Sequence, residues 1–139
     1  MAIQYSTSVR NAKLDAIETT ISTAPLLRLY SGTKPANPAA ALSGNTLLAE
    51  GALPSDWMGG ASAGAKAKSG TWTLNGQSGA GAGTATTFFR IYDAAGTTCH
   101  VQGTVTATGG GGDMTMDNVS VANAQVVTVN SFTITDNNA

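Results

Sequence analysis

Cys99 and His100 are the first residues to consider for chemistry, because a thiol beside an imidazole is a common basis of cysteine nucleophiles. They are the only cysteine and the only histidine in the chain. Their surroundings alternate as a strand does, and neighbouring strand residues point to opposite faces of a sheet. The pattern therefore predicts no Cys–His dyad. It favours Cys99 as a small buried residue and His100 as an exposed polar one.

Three segments have the composition of phosphate-binding loops: residues 31–34, 79–83 and 109–112. Such a loop needs glycines followed by lysine and a serine or threonine, placed between a strand and a helix. The two glycine runs have no such lysine, and residues 31–34 have no upstream glycine. All three segments are predicted to be ordinary loops, and no cofactor is expected.

Carboxylates and aromatic side chains complete the search for a site. Asp113 and Asp117 would lie about 13 Å apart on one strand face, too far to share one calcium ion. With Asn118 and a further loop carboxylate, a weak calcium site at these residues stays an open alternative.

Six aromatic residues suit either a sugar-binding groove or a core, and a core is favoured: Tyr30, Trp57, Trp72, Phe88, Phe89 and Tyr92. The expectation is a protein with no catalytic residue, no metal and no cofactor, and therefore not an enzyme.

The composition limits the partners that the surface can bind. Only 11% of the 139 residues are charged and the formal net charge is −1, so no electrostatic field attracts nucleic acid or an anionic membrane. No segment approaches the roughly 20 apolar residues of a membrane-spanning helix, and residues 1–8 lack the apolar core of a signal peptide. We expect synthesis and folding in a reducing cytoplasm. The low charge leaves two readings open, a surface covered by partners or a monomer kept soluble by hydroxyl groups.

The chain is predicted to contain an N-terminal arm, residues 1–7, followed by one β-rich domain, residues 8–139. Leu14, Ile17 and Ile21 recur at helical spacing and predict a helix over residues 8–22, capped by Ser8. It serves either as a lid on the β structure, which is favoured, or as an inter-subunit helix. Short alternating segments separated by glycine turns predict six to eight strands, at 26–30, 46–50, 65–68, 71–74, 86–92, 98–108, 113–117 and 125–135.

These strands indicate a mainly β fold, an antiparallel β-sandwich or a jelly-roll-like barrel with one N-terminal α-helix. Residues 86–92 and 98–108 are predicted to form a hairpin, and the last strand is predicted to bend at Asn130–Ser131. Residues 27–30 and 89–92 share the order apolar, arginine, aliphatic, tyrosine. They are interpreted either as equivalent strands in facing sheets or as ordinary strand composition.

Several segments resemble one class of protein: residues 10–18 (RNAKLDAIE), 26–35 (LLRLYSGTKP), 46–50 (TLLAE) and 88–98 (FFRIYDAAGTT). They are similar to small virion structural proteins of tailed bacteriophages and prophages, and most like capsid decoration (cement) proteins. The resemblance implies a non-enzymatic protein that is made in the host bacterial cytoplasm, lies on the outer capsid surface of the virion and stabilises the expanded shell. It implies the major capsid protein and other copies of the chain, as a homotrimer, as partners. The alternatives are a tail, head–tail or fibre-associated subunit, and a carbohydrate-binding β-sandwich.

Seven residues are candidates for partner contacts. The arm is expected to add as a strand to a sheet edge of the shell or of a neighbour. The loop around Trp57 is expected to lie under a partner. Lys34, Lys66 and Lys68 are considered as contacts to an acidic shell surface, but an ordinary solvated face is favoured for them. The interface candidates are Ile3, Tyr5, Leu14, Ile17, Lys34, Trp57 and Met58.

Overall fold

The alternating segments fold into strands close to their predicted positions. The computed structural model describes residues 3–81 and 84–138. The helix α1 spans Thr7–Ile21. The strands within the described residues are β1 (Leu26–Tyr30), β2 (Leu47–Ala52), β3 (Ala65–Ala67), β4 (Thr73–Gly76), β5 (Phe88–Tyr92), β6 (Cys99–Ala107), β7 (Met114–Met116) and β8 (Val126–Thr135).

Seven strands close into a barrel in the order β8–β4–β2–β1–β5–β6–β7, and β7 pairs back onto β8. β3 adds to the far end of β8. The ladders are antiparallel, as predicted, except that β6 and β7 pair in parallel. A mainly β, barrel-like fold with an N-terminal helix is confirmed. The sandwich and the jelly roll, which were the more specific descriptions, are not confirmed.

β8 closes the barrel because it pairs with three strands along its length. Its first part pairs with β4, its middle with β7 and its last part with β3. The register shifts so that Met116 faces Val129 while Thr115 faces Ser131, which leaves Asn130 as an extra residue. The predicted bend at Asn130–Ser131 is confirmed. This bulge changes the parity of the strand, so that Val129 and Phe132 both face the core.

The barrel core is built around aromatic rings. Trp57 and Trp72 are fully buried, with ring centroids 5.9 Å apart. Phe132 lies 5.3 Å from Trp72 and 5.4 Å from Phe89. Each buried indole finds an acceptor, since Trp57 Nε1 donates to the Ser22 carbonyl and Trp72 Nε1 to the Ser69 carbonyl. The prediction that these rings fill a core is confirmed.

Helix α1 covers one end of the barrel and buries Leu14 and Ile21 against the core. The helix begins at Thr7 and its N-cap is Ser6, whose hydroxyl accepts from Val9 N. The predicted cap, Ser8, is therefore wrong, whereas the helix predicted at about 8–22 is confirmed with a shift of one residue, and the arm ends at Ser6. Ser8 lies inside the first turn, and its hydroxyl hydrogen-bonds to that of Ser6. Within this chain, the helix acts as the lid that the sequence favoured.

The two similar segments, residues 27–30 and 89–92, lie side by side and not in facing sheets. β1 pairs with β5 so that Arg28 stands directly opposite Arg90. β5 pairs with β6 as the predicted hairpin. Leu27, Leu29 and their counterparts on β5 point into the core, so the two arginines point out from the barrel wall.

A prediction follows from the junction of β2 and β4, where only two residue pairs are in register. A Cβ at Gly51 would overlap the Thr73 carbonyl oxygen. Gly51→Ala should therefore lower the free energy of unfolding by about 1–3 kcal/mol, measured by urea denaturation. Gly60→Ala is the matched control, because a Cβ there meets open space. Equal stability of the two variants would contradict the close β2–β4 contact.

Candidate functional site

The Cys99 thiol and the His100 imidazole lie in different surroundings, as the strand pattern predicted. Cys99 packs against the outer cluster of Tyr30, Phe88 and Tyr92, and its thiol donates to the Val101 carbonyl. Burial raises the pKa of this thiol, which therefore stays protonated at neutral pH. His100 lines a groove beside α1. Both residues are half-buried, so Cys99 is less buried and His100 less exposed than predicted.

The carboxylates that were considered for calcium hold turns together. The Asp113 carboxylate accepts hydrogen bonds from Thr104 N and Thr104 Oγ1, both at 2.8 Å. The Asp117 carboxylate accepts from Asn130 Nδ2 at the bulge. Among the described residues, no three His, Cys, Asp or Glu side chains come together as metal ligands would.

The glycine runs likewise serve the backbone where they are described. In residues 109–112, Gly112 N donates to Thr106 Oγ1 at 2.9 Å, within the connection from β6 to β7. Ala82 and Gly83, in the other run, lie outside the described residues.

The most elaborate surface feature is the wall loop, residues 31–46, which connects β1 to β2. It has no helix or strand, yet it is fixed to the outside of the barrel by Arg90. Arg90 is only 4% exposed, and its Nη2 donates to the carbonyls of Asn37 at 3.2 Å and Ala40 at 2.8 Å. Its Nε donates to the Gln102 side chain. One buried guanidinium therefore holds the centre of the loop.

Further side chains fix the two ends of the wall loop. Gln102 Nε2 donates to the Pro35 carbonyl at 2.7 Å, and Thr87 Oγ1 donates to the Gly32 carbonyl at 2.6 Å. Asn45 Nδ2 donates to the carbonyls of Ser31 and Thr33. These bonds satisfy backbone groups that a strand ladder would otherwise pair. The loop thus has a defined shape although it lacks regular structure.

An apolar layer lies on the outer face of the same strands. Tyr30 and Phe88 stack with centroids 5.3 Å apart, and Tyr92 joins them. These rings are nearly fully buried although they alternate with the core-facing residues. Burial raises the pKa of Tyr30, whose hydroxyl is hydrogen-bonded to that of Tyr92. Lys34 and Leu42 of the wall loop remain exposed above this wall.

Arg28, the register partner of Arg90, has a different role. Its Nε pairs with Glu50 Oε2 at 2.5 Å on the neighbouring strand β2. Its Nη1 donates to the Gly96 carbonyl in the turn between β5 and β6, and its guanidinium lies 4.8 Å from the Tyr92 ring centroid. Arg28 therefore ties strands and a turn together, and only Arg90 of this pair is seen to hold the wall loop.

A second polar assembly joins α1 to the barrel through Lys66 of β3. Lys66 is 2% exposed, and its ammonium lies 2.7 Å from Asp15 Oδ1 and 2.8 Å from Glu18 Oε2. The hydrogen bond from Lys66, assisted by one from Ala61 N, lowers the pKa of Asp15. Burial opposes the charge on Lys66, but its bonds to the two carboxylates raise its pKa overall. The cluster is an ion-pair latch between helix and sheet.

The N-terminal arm is tied to the C-terminal end of the chain. Tyr5 N donates to Asn138 Oδ1, and Asn138 Nδ2 donates to the Tyr5 carbonyl. Residues 3–6 form no strand within this chain, and Met1 and Ala2 lie outside the described residues. Addition of the arm as a strand to a partner stays a prediction about a complex.

The interface candidates divide by exposure. Ile3, Tyr5 and Lys34 are exposed, and Ile17 is half-buried beside a groove. Leu14, Trp57 and Met58 are at most 2% exposed because the core of the chain itself covers them. The expectation that a partner covers the Trp57–Met58 loop is therefore corrected. The sequence shows an apolar loop, but its bridge from Met58 to Lys68 folds it back onto the barrel.

The sequence analysis did not predict that Arg90 holds the wall loop against the barrel. The sequence predicts no strand between residues 31 and 45, but the strand pattern does not show which residues cover the outer face of the barrel. The available signal was an arginine between apolar neighbours on both sides, in Phe88–Tyr92. All five residues of that strand are buried, which requires cover on both faces.

Comparison of the chain with protein-family models, curated proteins and solved structures found no match. Within residues 3–81 and 84–138, no helix combines the length and hydrophobicity that a bilayer span requires.

Replacing Arg90 tests the attachment of the wall loop. Arg90→Met keeps the apolar bulk but removes the donors to Asn37 and Ala40. Because each charge-assisted hydrogen bond contributes about 1.5–3 kcal/mol, amide exchange in residues 31–46 should accelerate at least about tenfold. Arg28→Met is the matched control and should leave exchange in this loop unchanged. Equal exchange in wild type and Arg90→Met would refute the role of Arg90.

Acidification tests the latch at Lys66. The folded-state pKa of Asp15 is lowered from 3.8, so ionised Asp15 stabilises the fold above its unfolded pKa. That contribution disappears as the pH falls through the folded pKa. Wild type should therefore lose more stability than Asp15→Asn between pH 7 and pH 3, which thermal unfolding measures. In a Lys66→Met background the two should differ less. If wild type and Asp15→Asn differ by the same amount in both backgrounds, Lys66 is not the partner that stabilises ionised Asp15.

Proposed function

We propose that this chain is a non-enzymatic structural protein of a phage virion. It binds the outer surface of the capsid and stabilises the expanded shell. Its partners are the major capsid protein and other copies of itself, assembled as a homotrimer. The resemblance of its segments to decoration proteins suggests this role, and the surface of the barrel supports it.

The wall loop is the observation that carries the proposal. Sixteen residues between β1 and β2 are ordered without regular structure, and ordering each costs about 1–2 kcal/mol of backbone entropy. Loops of this length in compact domains are usually functional. The two bonds from the buried Arg90 and four further side-chain bonds offset part of that cost and give the loop a defined geometry. A rigid loop of this kind is a preformed contact surface.

The composition of the wall loop suits broad contact with a protein surface. Residues 35–41 read Pro-Ala-Asn-Pro-Ala-Ala-Ala, and Lys34 is the only charged residue of residues 31–46. Small, uncharged side chains permit close approach of two backbones and need little desolvation. Such a surface fits repeated packing on a shell lattice better than recognition of a small molecule.

Other functions receive less support from the geometry. The Cys99 thiol is held protonated, and the candidate carboxylates are hydrogen-bonded to Thr104 of β6 and Asn130 of β8. Both tryptophans are fully buried, so they offer no stacking platform to a sugar. The carbohydrate-binding alternative would have to use other side chains.

Co-sedimentation with expanded shells that lack the protein tests the proposal. The chain should saturate such shells at a copy number that matches their local three-fold positions, and loaded shells should withstand heating better than bare ones. Absence of shell binding would contradict the proposal. Ring or tube formation without shell binding would transfer the assignment to a tail component.

The wall loop should control that binding. Lys34→Glu combined with Leu42→Ser changes two exposed side chains, so the fold should be unaffected. Loss of an apolar contact and reversal of a charge should weaken shell binding at least about tenfold, equivalent to about 1.4 kcal/mol. Val126→Ser is the control, because Val126 is 65% exposed and lies on β8. If both variants bind as wild type does, the loop is not the contact surface.

A further inference from the structure

Exposed apolar side chains are concentrated at the N-terminal end of the molecule. Ile3 is 74% exposed, Tyr5 42% and Val9 43%. Among the described residues, only two other large apolar side chains, Leu42 and Val126, are exposed to a similar degree. Three of five therefore lie within seven consecutive residues. An apolar cluster of this kind commonly marks a surface that contacts another protein.

The arm that carries Ile3 is held in place. Asn138 bonds both backbone groups of Tyr5, at 2.8 and 2.9 Å. The Lys13 ammonium lies 4.5 Å from the centroid of the Tyr5 ring. These contacts fix the arm beside the first turns of α1, and Ile3 is left projecting into solvent.

An apolar groove lies along the same helix. Two adjoining cavities, of about 350 and 340 Å³, share Lys13 and Ile17 in their linings. The first reaches Ala16 and Val101, and the second reaches Ile134. Each volume far exceeds the roughly 30 Å³ that one water occupies in the liquid, so the groove can accept a side chain. Ile3 lines neither cavity, so the arm does not fill the groove of its own chain.

The groove and the arm also match in charge. Lys13, at the centre of the groove, is paired with Asp136 at 2.8 Å. Residues 3–6, Ile-Gln-Tyr-Ser, carry no charged side chain. Because Lys13 is already paired with Asp136, the uncharged residues 3–6 can enter this groove without leaving a charge unpaired. The other ionisable group in the lining, His100, stands at the far end beside Val101.

We infer that Ile3 of one copy occupies the α1 groove of a second copy. Arm and groove lie at the same end of the molecule, and each is unfilled in the single chain. The contact joins two different surface elements, so three copies can close into a ring when the rotation between copies allows. A ring of three would give the homotrimer of the proposed function. The inference rests on the proposed function, in which the chain is a homotrimer, but it can be tested without shells.

Sedimentation velocity of the full chain, without shells, tests the inference. Wild type should associate with rising concentration. Ile3→Asp disables the arm, and Ala16→Arg blocks the groove; both positions are exposed and Arg favours helix. Each variant alone should be monomeric. Their equimolar mixture should form a heterodimer, because the intact arm of one fits the intact groove of the other. Val126→Asp is the control and should associate as wild type does.

Several results would overturn the inference. They are a monomeric wild type, association of either variant at wild-type strength, or no heterodimer above the concentration at which wild type associates. Circular dichroism establishes that each variant is folded. Co-sedimentation separates this inference from the proposed function: a monomeric variant that still binds shells leaves shell binding intact and removes only the arm-in-groove contact.

Discussion

Closure of the sheet through β8 is the constraint on which the other features depend. This strand pairs with β4, β7 and β3 in succession, and the bulge at Asn130 lets it change direction between them. Because the sheet is closed, the backbone groups of the barrel strands pair with one another, and no long strand edge is left unpaired. Interactions with other molecules must then use side chains, loops and the two chain ends.

The barrel wall is covered on both faces where β1 and β5 meet. Inside lie Leu29 and Phe89, and outside lie Tyr30 and Phe88 with the wall loop above Arg90. A buried guanidinium is unfavourable unless its donors are satisfied, and Arg90 meets this requirement with carbonyl and amide oxygens. The loop and the arginine therefore stabilise each other. The same arrangement gives a low-charge protein a rigid surface for contact.

The helix end of the barrel combines an apolar lid with polar attachment. Leu14 and Ile21 enter the core, while Lys66 and the carboxylates of Asp15 and Glu18 fix the helix to β3. Beside the arm, the apolar groove lies open between α1 and residues of β6 and β8. The wall loop and the arm, to which the two proposals assign shell contact and contact between copies, thus lie on separate parts of one barrel.

Local patterns in the sequence were sufficient to place the strands, the hairpin and the bend at Asn130. Alternation of apolar and polar residues depends only on near neighbours, so it can be recognised in the sequence without knowledge of the fold. The parallel pairing of β6 with β7 and the closure of the barrel depend on contacts far apart in sequence. So does the burial of Met58 by the chain itself, where the sequence predicted cover by a partner. The cap at Ser6 was missed because Ser6 and Ser8 are equally good caps by composition.

Cryo-electron microscopy of expanded shells reconstituted with the purified chain is the most direct test of the central claim. The account predicts barrel density on the outer surface at local three-fold positions, with residues 31–46 against the shell. Absence of that density, or a barrel bound through a different face with residues 31–46 in solvent, would contradict it.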